Sequence, residues 1–354
     1  MPETPQEPQS ARVEPRGTPP TVDELVAGVR RGDRALLGRA ITLVESTSAR
    51  HERDGQELLQ RLLPFTGKAR RVGITGVPGV GKSTFIDTLG MWLCDGGHRV
   101  AVLAIDPSST RSGGSILGDK TRMARLGLEP AAFIRPSPTG GALGGVARRT
   151  RECILICEAA GFDVVLVETV GVGQSEVTLR GMVDYFLLLL LAGAGDDLQG
   201  IKRGIMEMAD AVVVNKADGD NRMRAEAARG EQALALHHMV PATPGWSPPV
   251  TVASGLTGEG IAECWADVER FYRELEPVGA IADRRREQAR AWFDDLIREE
   301  LTSRFTRHPG VRGRRAELEA AVLRHELTPI RAVRDLFEAF DASSRPPTST
   351  ASPF

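Results

Sequence analysis

Gly76-Val77-Pro78-Gly79-Val80-Gly81-Lys82-Ser83 is a complete G-x-x-x-x-G-K-S phosphate loop, followed directly by Thr84. The glycines free backbone N–H groups to wrap phosphate oxygens, Lys82 brings a compact charge to the β and γ groups, and the Ser83 hydroxyl can ligate Mg²⁺. Further along, Asn215-Lys216-Ala217-Asp218 has the N-K-x-D spacing of a guanine reader. The Asp218 carboxylate can accept from both N1–H and the 2-amino group of guanine, whereas adenine presents an acceptor nitrogen there. Asn215 would brace the loop and the Lys216 stem would lie over the ring. Val252-Ala253-Ser254-Gly255, at the end of a later apolar run, is placed to contact the base O6 through backbone N–H groups, so Ser254, Gly255 and the following Leu256 join the nucleotide-binding candidates. The two motifs together imply GTP.

Between them, Val164-Val165-Leu166-Val167-Glu168-Thr169-Val170-Gly171 reads as a strand ending in an acid three residues before a glycine. That is the pattern of a Mg²⁺ and γ-phosphate sensor, with Glu168 holding metal-bound water and the Gly171 N–H facing the terminal phosphate. Asp106, after the run Val100 to Ile105, and Asp119, in a Gly-rich segment, are further acids for Mg²⁺ or water positioning. The competing readings are a helix N-cap for Asp106 and a solvated loop charge for Asp119. The candidate catalytic set is therefore Lys82, Asp106, Asp119, Glu168 and Gly171, and the candidate Mg²⁺ set is Ser83, Asp106, Asp119 and Glu168. Val172 stands where Ras-like enzymes carry a water-orienting Gln, and the nearest glutamine is Gln174. Intrinsic hydrolysis is therefore expected to be slow, about 10⁻² per second or less, as suits a partner-regulated switch.

These groups need a scaffold. From Arg71 to about Glu274, runs at 71–75, 100–105, 164–167, 186–191, 211–214 and 250–252 read as strands and alternate with amphipathic stretches. The alternation predicts an α/β domain, a mostly parallel sheet with helices on both faces and the motifs at its carboxyl edge. Before it, Val22 to Val44 and Gln56 to Leu63 show helical spacing. After it, Phe293, Ile297, Leu301 and Phe305 recur every four residues in an Arg/Glu-rich helix, a stripe that must be buried. Two shorter helical patterns follow, so this arm either folds back on the core or pairs with a second subunit. The expected organisation is a tail over 1–20, a helical extension over 21–69, the nucleotide domain over 70–278, a helical arm over 279–342 and a tail over 343–354.

Composition narrows the setting. A net charge of −2 gives no global reason to bind nucleic acid or an anionic membrane. Cys94, Cys153, Cys157 and Cys264 lie in apolar segments, which fits a reducing cytoplasm and no disulfide framework. Neither a secretory signal nor a transit pattern is visible near the N-terminus. The chain has 40 Arg but only 5 Lys, so a surviving lysine is suspected of a task a guanidinium cannot perform. Lys82 and Lys216 sit in the two motifs, and Lys120 and Lys202 become candidates for switch or phosphate contacts.

The motifs extend beyond a generic GTPase. Asp106-Pro107-Ser108-Ser109, Gly118-Asp119-Lys120-Thr121-Arg122-Met123, Arg135-Pro136-Ser137-Pro138, the run Glu168 to Glu176, and Gly193 to Lys202 together resemble the MeaB/ArgK family of methylmalonyl-CoA mutase-associated GTPases, of the SIMIBI class. The resemblance covers about residues 22 to 340. It implies a homodimer made through the C-terminal arm, and a chaperone that uses GTP to gate adenosylcobalamin loading into an acyl-CoA mutase and to protect that enzyme. The cobalamin would sit on the mutase and on a cobalamin adenosyltransferase, a further possible partner. It also implies a nucleotide-state relay to the mutase through Asp196, Asp197, Gln199 and Lys202, with Lys120 and Gln174 as further switch residues. Gly193 replaces the family's common Pro. Three rival classes stand beside it: a nickel-insertion GTPase, which would be expected to show Cys/His ligands; a protein kinase preferring ATP, which Asp218 opposes; and a scaffold that binds GTP without hydrolysing it.

Overall fold

The computed structural model describes residues 19–46, 48–105, 123–136, 143–169, 175–193 and 203–344. Seven strands form one sheet: β1 (Arg70–Gly76), β2 (Val100–Ile105), β3 (Ala132–Arg135), β4 (Val164–Thr169), β5 (Tyr185–Leu191), β6 (Ala211–Asn215) and β7 (Val250–Val252). Their order is β3-β2-β4-β1-β5-β6-β7 and every pairing is parallel. β1 is central, between β4 and β5, so the connections diverge to either side of it. That is the switch point where open α/β sheets bind ligands. Every strand except β3 coincides with a run read from sequence, with ends shifted by at most two residues. β3 was not expected: it is a four-residue edge strand, half of it only partly buried, too short to carry a periodic signal.

The helices in chain order are α1 (Val22–Arg30), α2 (Arg34–Glu45), α3 (Ala49–Leu62), α4 (Lys82–Asp95), α5 (Leu143–Ala159), α6 (Ser175–Arg180), α7 (Arg203–Glu207), α8 (Arg222–His237), α9 (Ile261–Leu275), α10 (Ala280–Arg307), α11 (Pro309–Leu323) and α12 (Pro329–Ser344). The N-terminal pattern is two helices before α3, divided where Asp33 caps α2 by accepting from the N–H groups of Ala35 and Leu36. Thr21 and Glu24 close a reciprocal capping box on α1. Leu25, Val29, Leu37, Ile41, Leu58 and Leu62 bury the inner faces of α1 to α3 in the same apolar cluster as Cys153, Ile154 and Cys157 of α5. All four cysteines are free thiols, and burial pushes Cys94 up to about 11 and Cys264 up to about 12. Cys153 and Cys157 are core positions.

Two buried carboxylates fix the amino ends of the strands. Asp184, just before β5, accepts from the Tyr272 hydroxyl at 2.7 Å and the Arg71 N–H at 3.2 Å. Asp210, just before β6, is paired with Arg180 and Thr243 and accepts from the Phe186 N–H at 2.9 Å. Arg180 is the last residue of α6, so this pair anchors that short helix to the sheet.

The chain divides into two compact units, Met1–Ile281 and Ala282–Phe354. In the second, Phe305 packs on Phe337 and Phe340 at 4.5 and 5.5 Å between centroids, and Val311, Leu318 and Ala332 are buried. The stripe expected to be buried is largely open among the described residues: Phe293, Ile297 and Leu301 are 63%, 42% and 61% exposed. No helix among the described residues is long and apolar enough to cross a membrane.

Candidate functional site

The phosphate loop leaves the carboxyl end of β1 and runs into α4. Gly79 and Gly81 hold φ of 80° and 92°, left-handed values that favour glycine. At Gly81 the space is closed as well, since a Cβ there would lie 3.0 Å from Asn215 Nδ2. Gly81→Ala is expected to cost about 1–2 kcal/mol of backbone strain and to push the loop away from Asn215. Fluorescent GDP titration should show about tenfold weaker binding or worse, and unchanged affinity would refute this account of the loop.

Lys82 Nζ donates to the carbonyls of Gly76 at 2.8 Å and Val77 at 3.2 Å, folded back onto the loop it serves. Burial pulls its pKa down, and the nearby charges of Glu168 and Glu176 act in the opposite direction. Ser83 Oγ donates to Glu168 Oε1 at 3.1 Å, so the hydroxyl and the carboxylate named as Mg²⁺ ligands lie within one hydrogen bond of each other. Two oxygen donors at that separation suit a small hard cation that keeps its remaining positions for water and phosphate. Among the described residues no group of three or more His, Cys, Asp or Glu side chains is arranged to hold a metal. Thr75 and Thr169 share a buried hydrogen bond of 2.8 Å that joins the carboxyl ends of β1 and β4 beneath the site.

The guanine loop is locked to the phosphate loop. Asn215, 1% exposed, donates through Nδ2 to the Val80 carbonyl at 2.8 Å and accepts at Oδ1 from the Gly255 N–H at 3.1 Å. Lys216 follows with φ of 60°, a left-handed backbone unusual for a lysine and costly enough to require support. Asp218 accepts a hydrogen bond from Ser254 Oγ, and the same hydroxyl accepts from the Thr257 N–H at 3.1 Å. The Ser254 N–H donates to the Glu259 carbonyl at 2.9 Å, and the Gly255 N–H is held by Asn215. Of the residues expected to reach the base through N–H groups, Ser254 and Gly255 thus shape the turn. Thr88 of α4 donates to the Gly255 carbonyl at 2.6 Å, tying this turn to the helix that follows the phosphate loop.

Asp106, Asp119, Lys120, Gly171, Gln174, Asp196, Asp197, Gln199 and Lys202 lie outside the described residues, as do the expected tails apart from 19, 20, 343 and 344. Two contributors escaped the reading of the sequence. Glu176, 1% exposed in the first turn of α6, acts on the Lys82 charge. Arg180 fixes the far end of the same helix through Asp210. Only the buried position of α6 reveals either, since nothing in their spacing sets them apart from surface charges.

A seven-stranded parallel sheet with a phosphate loop on its central strand defines a P-loop nucleotide hydrolase, and a guanine loop two strands away narrows the class to GTPases. The chain belongs to the MeaB family: the family model described as "Methylmalonyl Co-A mutase-associated GTPase MeaB" matches residues 37–310. A probable GTPase of Mycobacterium tuberculosis is 56% identical, over 92% of this chain and 97% of its own length. GTPase ArgK of Escherichia coli is 45% identical over 90% of this chain and 96% of its own. The mitochondrial methylmalonic aciduria type A homolog of Mus musculus is 46% identical over 90% of this chain and 79% of its own. A crystal structure described as a LAO/AO transport system kinase superposes with a TM-score of 0.72 at 38% identity, covering 90% of this chain and 97% of that one. The protein is a GTPase that binds guanine nucleotide.

Proposed function

We propose that this GTPase is a chaperone for an adenosylcobalamin-dependent acyl-CoA mutase of the methylmalonyl-CoA mutase type, gating cofactor loading and protecting the enzyme. The observation that carries the reading is the family match, whose description names mutase association, over residues that include both nucleotide motifs. The cobalamin belongs to the mutase and to an adenosyltransferase that supplies it, and this chain acts from the cytoplasm as their regulator. Its organisation is the helical extension of 21–69, the nucleotide domain of 70–278 and the arm of 279–342.

In the cycle, Gly76 to Thr84 cradle the phosphates, with Val77, Pro78 and Val80 giving the loop its path. Lys82 exchanges its loop carbonyls for β and γ oxygens. Asn215, Lys216 and Asp218 hold the guanine, with Ser254, Gly255 and Leu256 closing over it. Ser83 and Glu168, with Asp106 and Asp119, would hold Mg²⁺, which would neutralise charge developing on the transferred phosphoryl group. Gly171 reports the γ-phosphate. Gln174, Lys120, Asp196, Asp197, Gln199 and Lys202 carry the nucleotide state to the mutase.

The test is GTP turnover by the purified chain alone and with a methylmalonyl-CoA mutase from the same organism, with ATP as control. A slow basal rate that rises severalfold with the mutase supports the reading, and a rate indifferent to it removes the client.

The exposed stripe on α10 is the surface for a second copy of the chain. Replacing Ile297 and Leu301 by Asp is expected to turn a dimer into a monomer in sedimentation velocity while basal GTP turnover persists. A wild-type chain that sediments as a monomer would refute the pairing.

A further inference from the structure

We propose that a cavity walled by α1, α2 and α3 is a binding site for a small amphiphilic anion, an aliphatic body carrying a carboxylate or phosphate. The cavity measures about 880 Å³ and shares no residue with the nucleotide loops. That volume is in the range of sites for small organic ligands. Its apolar wall comes from Val22 and Leu25 of α1 and from Ala35 and Leu43 of α2. Among the described residues no Phe, Tyr or Trp lines it, which suits an aliphatic chain better than a stacked base.

Charge selects the other end of the ligand. Three guanidinium groups, Arg39, Arg50 and Arg135, line the cavity against one carboxylate, Asp54. Arg135 is already paired with Glu45. Arg39 and Arg50 make no ion pair among the described residues and are free to take an incoming anion. His51 and Ser46, joined at 2.8 Å, add polar groups to the lining. A planar guanidinium beside an apolar wall is suited to gripping a carboxylate or phosphate in a forked geometry.

Gly38 supplies an independent sign that the space is kept open. It lies inside α2, lines the cavity, and a Cβ built on it would meet nothing within 4 Å. Its φ lies outside the left-handed range, so no backbone requirement explains it. Glycine there costs the helix about 1 kcal/mol relative to alanine. The missing side chain leaves volume in the cavity.

The experiment is calorimetric titration of octyl phosphate, below its micelle concentration, into the full chain saturated with GDP and Mg²⁺ so that the nucleotide site is occupied. Octanoate and octanol are run alongside. The expected result is one site per chain for both anions. Gly38→Leu, which fills the cavity and favours the helix, should weaken binding about tenfold or more. The double variant Arg39→Gln/Arg50→Gln should weaken both anions about tenfold and leave octanol unchanged. Thermal unfolding verifies that each variant is folded. The proposal is overturned if octyl phosphate does not bind, if Gly38→Leu binds it as well as wild type, or if octanol binds as tightly as the anions. Vesicles of phosphatidylglycerol separate a free ligand from a lipid headgroup: co-sedimentation that Gly38→Leu abolishes, without binding of monomeric octyl phosphate, would also overturn it.

Discussion

Asp218→Asn should exchange the base this enzyme accepts. In the native loop Ser254 donates to one carboxylate oxygen, so the amide oxygen of the substituted side chain would keep that bond and turn its NH₂ toward the nucleotide. An NH₂ group cannot accept from the N1–H and 2-amino groups of guanine, but it can donate to the C2 carbonyl of xanthine. Leaving buried donors unpaired costs discrimination of roughly 10⁴-fold in sites of this kind. GTP turnover, measured as kcat/KM, should therefore fall by about three to four orders of magnitude, while XTP becomes a substrate. Because Asp218 is only half-buried and its bond to Ser254 survives, the variant should fold normally. Retention of GTP turnover within about tenfold would refute the guanine assignment.

Lys82→Ala is the second large effect, and it has two readouts that move apart. Lys82 is 8% exposed, burial lowers its pKa, and its ammonium donates to two loop carbonyls. A lysine whose folded pKa lies below its unfolded one is charged at a net cost to the fold at neutral pH, and that cost fades as pH rises through the folded pKa toward the unfolded one. Removing it should leave the nucleotide-free melting temperature unchanged or raised at neutral pH. Turnover should nevertheless fall by about 10²- to 10³-fold or more, since a positioned donor to the developing phosphoryl charge is gone. The rise in melting temperature on adding GDP and Mg²⁺ should shrink with it. A variant that melts lower without nucleotide yet hydrolyses GTP normally would mean that Lys82 is a structural group.

The parts legible in the sequence are those where chemistry demands particular residues in a fixed order. A phosphate loop needs its glycines and lysine in sequence, and a parallel strand buried on both faces needs an unbroken apolar run such as Tyr185–Leu191. β3 escaped because a short edge strand has neither requirement. The link from Asn215 to Val80 escaped because it joins residues 135 positions apart, and no local pattern encodes which carbonyl an amide will meet. Ser254 and Gly255 illustrate the same limit: position at a strand end suggested contact with the base, whereas their N–H groups are taken by Glu259 and Asn215. The α10 stripe was legible as apolar, but its exposure depends on what the chain places over it, which spacing does not state.

The Asn215 side chain also sets a length. By fastening the loop that reads the base to the loop that cradles the phosphates, it fixes the span between them before any nucleotide arrives. Guanine and triphosphate then behave as two ends of one gauge. Whichever end lands first confines the other, so its capture becomes an intramolecular event at a high effective concentration. Guanosine and tripolyphosphate added as separate molecules should accordingly bind far more weakly, taken together, than GTP. An Asn215→Ala chain should lose most of that difference.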